Sequence, residues 1–158
     1  MFLTALLGFF FSSIVLFLII ASFYADRYFG FTPFLAKPLR VAISLPLLIA
    51  GTCLWLWCTV KFFKTKGTPV PVNPPPKLVT DGPYTYSRNP MMTGLFMVMA
   101  GVGIFFGSIT LTLIMTPLFV LMSILEFKYI EELELAKRFG KEYTKYKEKT
   151  PIIIPRIR

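Results

Sequence analysis

The sequence contains no histidine. That removes the commonest general base and the commonest metal ligand before any motif is considered. Charge is also scarce: Asp, Glu, Lys and Arg make up 16% of the 158 residues, against about 25% in a typical soluble domain. Cysteine occurs twice. Cys53 and Cys58 share one uncharged run, do not share a helix face well, and have no second Cys pair or His beside them. A metal centre or disulfide framework is therefore not expected, and both read as small apolar packing residues. Acidic residues are outnumbered 8 to 17 by basic ones, giving a net charge of +9. The basic residues flank apolar runs and form no interleaved patch. They read as anchors facing anionic headgroups, not as a nucleic-acid surface.

What the chain has instead is hydrophobicity, at 55% of residues. Phe2–Tyr24 carries no charge and is long enough to cross a hydrocarbon core of about 30 Å as a helix. It lacks the basic start and small-residue cleavage site of a signal peptide, so a retained span is expected. Asp26–Arg40 is a polar connection. Val41–Val60 is the second span, with Pro46 tolerated inside it and Lys61, Lys64 and Lys66 closing it. The proline-rich "GTPVPVNPPPKLV" predicts a stiff extended loop. After Arg88 no charge follows until Glu126. That stretch is too long for one span, and Gly107-Ser108 is its natural turn, giving Met91–Phe106 and Ile109–Ile130 as an antiparallel hairpin. From Lys128, apolar Ile130, Leu133, Ala136, Phe139 and Tyr143 recur every three or four residues, the pattern of a helix leaving the membrane to lie on its surface.

The expectation is an all-α polytopic membrane protein of about four transmembrane helices, folded as a single domain over 1–158. Residues 1–63 hold two spans, 64–90 a proline-rich cytoplasmic loop, 91–130 the hairpin and 131–158 an amphipathic cytoplasmic tail. Lys and Arg number five in 61–90, nine in 128–158 and three in 25–40. With an even span count, this asymmetry places both termini in the cytoplasm and the chain in the cytoplasmic membrane.

Polar features converge on one membrane face: "GPYTYSRNP" around Arg88, Glu126, Glu131 and Glu132 at the end of the last span, and the Tyr-rich tail helix. Gly101 and Gly103 in "AGVGIF" join them as positions where a backbone can approach a ligand, or a neighbouring helix, closely. Arg88 taken alone reads as a positive-inside anchor, and Glu131-Glu132 taken alone as a solvated helix face. Paired carboxylates facing a cation at one interface exceed what topology requires.

Taken together, these segments resemble a known family. "GTPVPVNPPPKLVTDGPYTYSRNPMMTG" and "EELELAKRFGKEYTKY" are similar to the two signature segments of the isoprenylcysteine carboxyl methyltransferase family, and "PIIIP" to its closing segment. The glycine pair with the Glu pair resembles the related phospholipid N-methyltransferases. The resemblance covers about residues 61–158. It implies a membrane methyltransferase that uses S-adenosyl-L-methionine. It also implies that Tyr84, Tyr86, Arg88, Asn89, Pro90, Gly101, Gly103, Glu131 and Glu132 enclose that cofactor. The chain departs from the family in three places: Asn89 stands where many relatives have His, Met92 where an aromatic is common, and Phe127, Lys128 and Tyr129 where relatives often carry Arg ahead of the Glu pair. Asn89 can hydrogen-bond but cannot act as a base near neutral pH.

Methyl transfer needs alignment and desolvation more than proton transfer. Arg88 and Glu126 are the candidates for a direct part in it; a base, where one is needed, would be a carboxylate such as Glu126 or a tyrosine. A carboxylate acceptor needs no base, which favours isoprenylcysteine-type O-methylation of a lipophilic or lipidated substrate over N-methylation of a phospholipid amine. An NADPH-dependent membrane reductase and a lipid-binding scaffold without enzymatic activity are the competing readings. No dinucleotide glycine fingerprint supports the former.

Overall fold

The computed structural model describes residues 2–65 and 76–153, with side chains from Ser13 onward. Its regular structure is entirely helical among these residues. Helix α1 spans Phe2–Phe29, α2 Lys37–Lys64 and α3 Pro90–Phe106. Helix α4 runs continuously over Thr110–Phe139, and α5 covers Lys141–Lys149. A short 3-10 turn at Gly82–Thr85 precedes α3. The proline-rich segment expected to be stiff falls largely outside the described residues, as does the end of the "PIIIP" strip.

Local chemistry explains the boundaries. Pro38 sits in the first turn of α2, where its missing N–H is not needed, and Lys61 and Lys64 face the carbonyl end of that helix. Pro90 opens α3, and the Asn89 side-chain oxygen accepts a hydrogen bond from the Met92 amide at 3.3 Å. Gly107 ends α3 in the left-handed conformation at φ 73°, as a C-terminal glycine does. The expected turn at Gly107-Ser108 is where the hairpin reverses. The start of α4 is capped from another helix: Asp26 Oδ1 accepts from the Thr110 amide at 3.0 Å and from its hydroxyl at 2.6 Å. Wide π-type turns occupy Thr110–Met115 and Phe127–Glu131.

Helices α2 and α3 touch through their backbones. A methyl group placed on Gly51 would lie 2.6 Å from the Gly94 carbonyl oxygen, and one on Gly94 would lie 2.8 Å from that of Gly51. Small residues of this kind let helices associate where lipid provides no hydrophobic drive. The apolar core is modest: Phe96 meets Phe119 edge-to-face at 5.9 Å, with Met99 and Leu111 buried beside them. Leu16, Phe17, Ile49, Leu56, Leu113 and Leu121 are instead exposed on the outer faces. So large an apolar exterior suits hydrocarbon, not water. The protein is an all-α membrane protein.

The expected four spans need correction. Among the residues whose side chains are described, from Ser13 onward, α2 and α4 are long and apolar enough to cross a membrane; only the last 17 residues of α1 fall within that stretch. Helix α3 has 17 residues, about 26 Å at ~1.5 Å each, because Pro90 and Gly107 fix its ends. The amphipathic tail also begins later than a separate helix from Lys128 would: α4 continues unbroken to Phe139, and Gly140 separates α5.

Candidate functional site

The site is organised by the segment between α2 and α3. Lys61, in the last turn of α2, forms an ion pair with Asp81, just ahead of the 3-10 turn. That bond holds the exposed Asp81 carboxyl below the usual range. Pro83 and Tyr84 are buried in the turn, and Tyr84 meets Phe62 edge-to-face at 5.6 Å. Tyr86 points outward and is exposed.

The C-terminal residues clamp this segment from the other side. The Tyr146 hydroxyl donates to the Tyr84 carbonyl at 2.6 Å. The Ser87 hydroxyl donates to the Ile152 carbonyl at 2.6 Å, the Arg88 amide to that of Pro151 at 2.8 Å and the Asn89 amide to that of Ile152 at 3.0 Å. These bonds carry backbone groups that the irregular loop would otherwise leave unpaired.

Arg88 turns inward from this clamp. Its Nη1 forms an ion pair with Glu132 and donates to the Tyr143 hydroxyl at 3.2 Å. The guanidinium lies 5.8 Å over the Phe127 ring. The Arg88 and Glu132 side chains are only 7% and 5% exposed, so each charge depends on the other for compensation. The second oxygen of Glu132 pairs with Lys147, whose side chain is 51% exposed. Arg88 Nε is buried without a hydrogen-bond partner. Burial raises the Tyr143 hydroxyl pKa, and the bond from Arg88 opposes the rise. Tyr146 and Tyr84 are also raised, chiefly by burial. All three are neutral phenols near neutral pH.

The structure thus joins Arg88 and Glu132 directly, and it places Tyr84, Asn89 and Pro90 within the loop that carries Arg88. Glu131 is half-buried next to Glu132 on α4. Glu126 lies on α4 about 9 Å before Glu132 along the helix axis, half-buried and with no ion pair among the described residues.

Gly101 and Gly103 are not brought to this cluster. Gly101 stands 11 residues of helix beyond Pro90, roughly 16 Å away along the axis. A Cβ on Gly101 would press on the Leu48 side chain at 2.9 Å. One on Gly103 would collide with the Thr112 hydroxyl and approach its amide nitrogen at 3.1 Å. Both glycines occupy helix–helix contacts. Tyr143, Tyr146 and Lys147 complete the site, and the reading of the sequence did not single them out as site residues. Tyr143 and Tyr146 carry a sequence signal as the two tyrosines of "EELELAKRFGKEYTKY"; Lys147 has none beyond the Lys-rich composition of "KEYTKYKEK".

Two cavities of about 190 Å³ each meet at Tyr86. One is bounded by Thr85, Tyr146, Lys149 and Pro151. The other is bounded by Leu54, Trp57, Pro90, Thr93 and Ile153. Each is smaller than the ~300–1,000 Å³ usual for a ligand site, and neither is lined by Arg88 or Glu132, which close on one another. The donor set nevertheless suits an α-amino acid group. A buried cation and carboxylate stand side by side, and one Arg88 N–H remains unpaired.

Comparison with known proteins bears on this arrangement. The nickel-cobalt-cadmium resistance protein NccN of Alcaligenes xylosoxydans xylosoxydans is 32% identical over 102 residues, covering 65% of this chain and 43% of that protein. The chain therefore spans less than half the length of this relative. Among the described residues no group of three or more His, Cys, Asp or Glu side chains is placed to hold a metal ion. No solved structure matches. The family model described as phospholipid methyltransferase matches residues 39–142, a stretch that contains all but the first two residues of α2, all of α3 and α4, and Arg88 and Glu132. The chain belongs to the phospholipid methyltransferase family.

Proposed function

We propose that the protein transfers a methyl group from S-adenosyl-L-methionine to a lipophilic acceptor held in the bilayer. The preferred acceptor is a carboxylate of the isoprenylcysteine type. The observation that carries this reading is the buried Arg88–Glu132 pair within the part of the chain that matches a methyltransferase family. Arg88 suits the cofactor's carboxylate, through a charge-assisted fork, and Glu132 suits its ammonium. The unpartnered Arg88 Nε supports this assignment. To admit the ligand, the pair exchanges its mutual bond for bonds to the two charged ends. Tyr84, Tyr86, Asn89, Pro90 and Glu131 form the surrounding wall, whereas the contacts of Gly101 and Gly103 favour a packing role.

When bound, the cofactor supplies a methyl on a sulfonium, displaced in line with a neutral thioether leaving. The protein aligns the acceptor and excludes water. The apolar cavity between Leu54, Trp57, Pro90 and Ile153 offers the acceptor lateral access from the bilayer. Residues 1–158 act as one domain in the cytoplasmic membrane. In this reading α1 and the 17-residue α3 lie in the membrane beside the spanning α2 and α4, with both termini cytoplasmic.

N-methylation of a phospholipid amine is the second reading, favoured by the family's own description. An ammonium must lose a proton first, and Glu126 is the half-buried carboxylate available to take it. Product chemistry separates the two. Membranes containing the protein are supplied with methyl-labelled cofactor, and the labelled lipid is treated with base. Label released as volatile methanol identifies an ester. Label that stays non-volatile identifies an amine, because base cleaves the lipid's esters but not its N–CH3 bond, and no labelled lipid above that of Arg88→Ala membranes defeats both readings.

A further inference from the structure

The geometry points to Lys147 as a resident competitor for the cofactor's ammonium group, and so as the residue that sets how readily the Arg88–Glu132 pair is engaged. This rests on the reading that the pair holds the amino-acid end of the cofactor. Glu132 presents its two oxygens to two different cations: Oε1 to Arg88 and Oε2 to Lys147. The two contacts differ in kind. Arg88 is 7% exposed and is further fixed by the Tyr143 hydroxyl and the Phe127 ring. Lys147 is 51% exposed and sits on α5, beyond the break at Gly140, whose φ is 51°. Its ammonium can move into water without disturbing the helix that carries Glu132.

An α-amino group carries the same charge as a lysine ammonium and the same three N–H donors. A ligand ammonium that takes Oε1 as Arg88 releases it shares the carboxylate with the Lys147 ammonium on Oε2. The two like charges repel, so Lys147 opposes the ligand unless it moves aside. The closed pair is thereby compensated when no ligand is present, and the measured affinity is lowered by the cost of removing the lysine. Lys147 also lies beyond the part of the chain that matches the family model, which ends at residue 142. Its effect is a property of this chain's tail.

The test uses full-length protein in detergent and two ligands, S-adenosylhomocysteine and 5′-methylthioadenosine, which lacks the amino-acid end. Lys147→Met should tighten S-adenosylhomocysteine binding about two- to fivefold, the range expected for an ion pair with one exposed partner. The same variant should leave methylthioadenosine affinity unchanged, and Lys147→Arg, which keeps the cation, should bind both ligands like the parent. Tightening of both ligands alike would show a general effect on the fold and overturn the proposal. Weaker or unchanged S-adenosylhomocysteine binding in Lys147→Met, with Glu132→Gln clearly impaired, would overturn the role of Lys147 and leave the site intact. Parent-like binding in Glu132→Gln would overturn both.

Discussion

Arg88 and Glu132 stand 44 residues apart in the chain and meet as a buried ion pair between the loop before α3 and the C-terminal part of α4. Truncating one member strands the other. Such losses cost about 2–5 kcal/mol, or roughly 30-fold to several-thousand-fold in affinity. Arg88→Ala and Glu132→Gln should weaken binding of S-adenosylhomocysteine by at least about 30-fold. Lys145→Ala, on the exposed side of α5, should change it by less than about twofold. Calorimetric titration of the three variants checks this.

The backbone contact between Gly51 and Gly94 makes a prediction about folding. A side chain at Gly94 meets the Gly51 carbonyl at 2.8 Å and the Trp55 amide nitrogen at 3.0 Å, and neither can rotate away. Gly94→Ala should destabilise the protein by about 1–3 kcal/mol, as overpacking does. Thermal unfolding in detergent would show a lowered Tm. An unchanged Tm would mean that α2 and α3 are not in backbone contact.

Gly101 and Gly103 discriminate between packing and ligand contact. Their neighbours are Leu48 and Thr112, so Gly101→Ala and Gly103→Ala should lower Tm while the folded fraction keeps its affinity for S-adenosylhomocysteine. The drop should be smaller for Gly101→Ala, because the Leu48 side chain can shift, whereas the Thr112 amide nitrogen at 3.1 Å from Gly103 cannot. Lost affinity at an unchanged Tm would return the glycines to the cofactor site.

Tyr146 links the tail to the site. Its hydroxyl donates to the Tyr84 carbonyl at 2.6 Å and lies 3.4 Å from that of Ser87. Tyr146→Phe removes a bond worth about 1 kcal/mol. Hydrogen exchange at the amides of residues 84–89 should accelerate while exchange in α2 stays as it was. Equal protection in parent and variant would show that α5 does not hold the loop.

The motifs around Arg88 and Glu131-Glu132 were legible because charges are so sparse that any cluster stands out. The reversal at Gly107-Ser108 and the break at Gly140 were legible for a related reason: glycine alone adopts a positive φ at low cost. The destination of Gly101 and Gly103 was not legible. A glycine that admits a ligand and one that admits Leu48 look the same in one dimension. The continuation of α4 to Phe139 was hidden by the switch from apolar to charged residues at Glu126, since composition follows the solvent boundary and not the helix end. Lys147 was one lysine among several on the tail. Only the placement of α5 beside Glu132 distinguishes it.

Topology can be read by labelling. In a background with Cys53→Ser and Cys58→Ser, Asp81→Cys and Lys145→Cys should react from the cytoplasmic side. Tyr28→Cys, 85% exposed before the turn at Gly30, should react from the opposite side. Reaction of all three from one side would contradict a spanning α2.

The central claim is that the buried Arg88–Glu132 pair receives the amino-acid end of S-adenosyl-L-methionine. The most direct test is calorimetric titration of purified full-length protein with S-adenosylhomocysteine, run beside Arg88→Ala and Glu132→Gln. The account predicts saturable one-site binding by the parent, its loss in both variants, and no binding when NADPH is titrated instead. Absence of saturable binding by the parent, or parent-like binding by both variants, would contradict it.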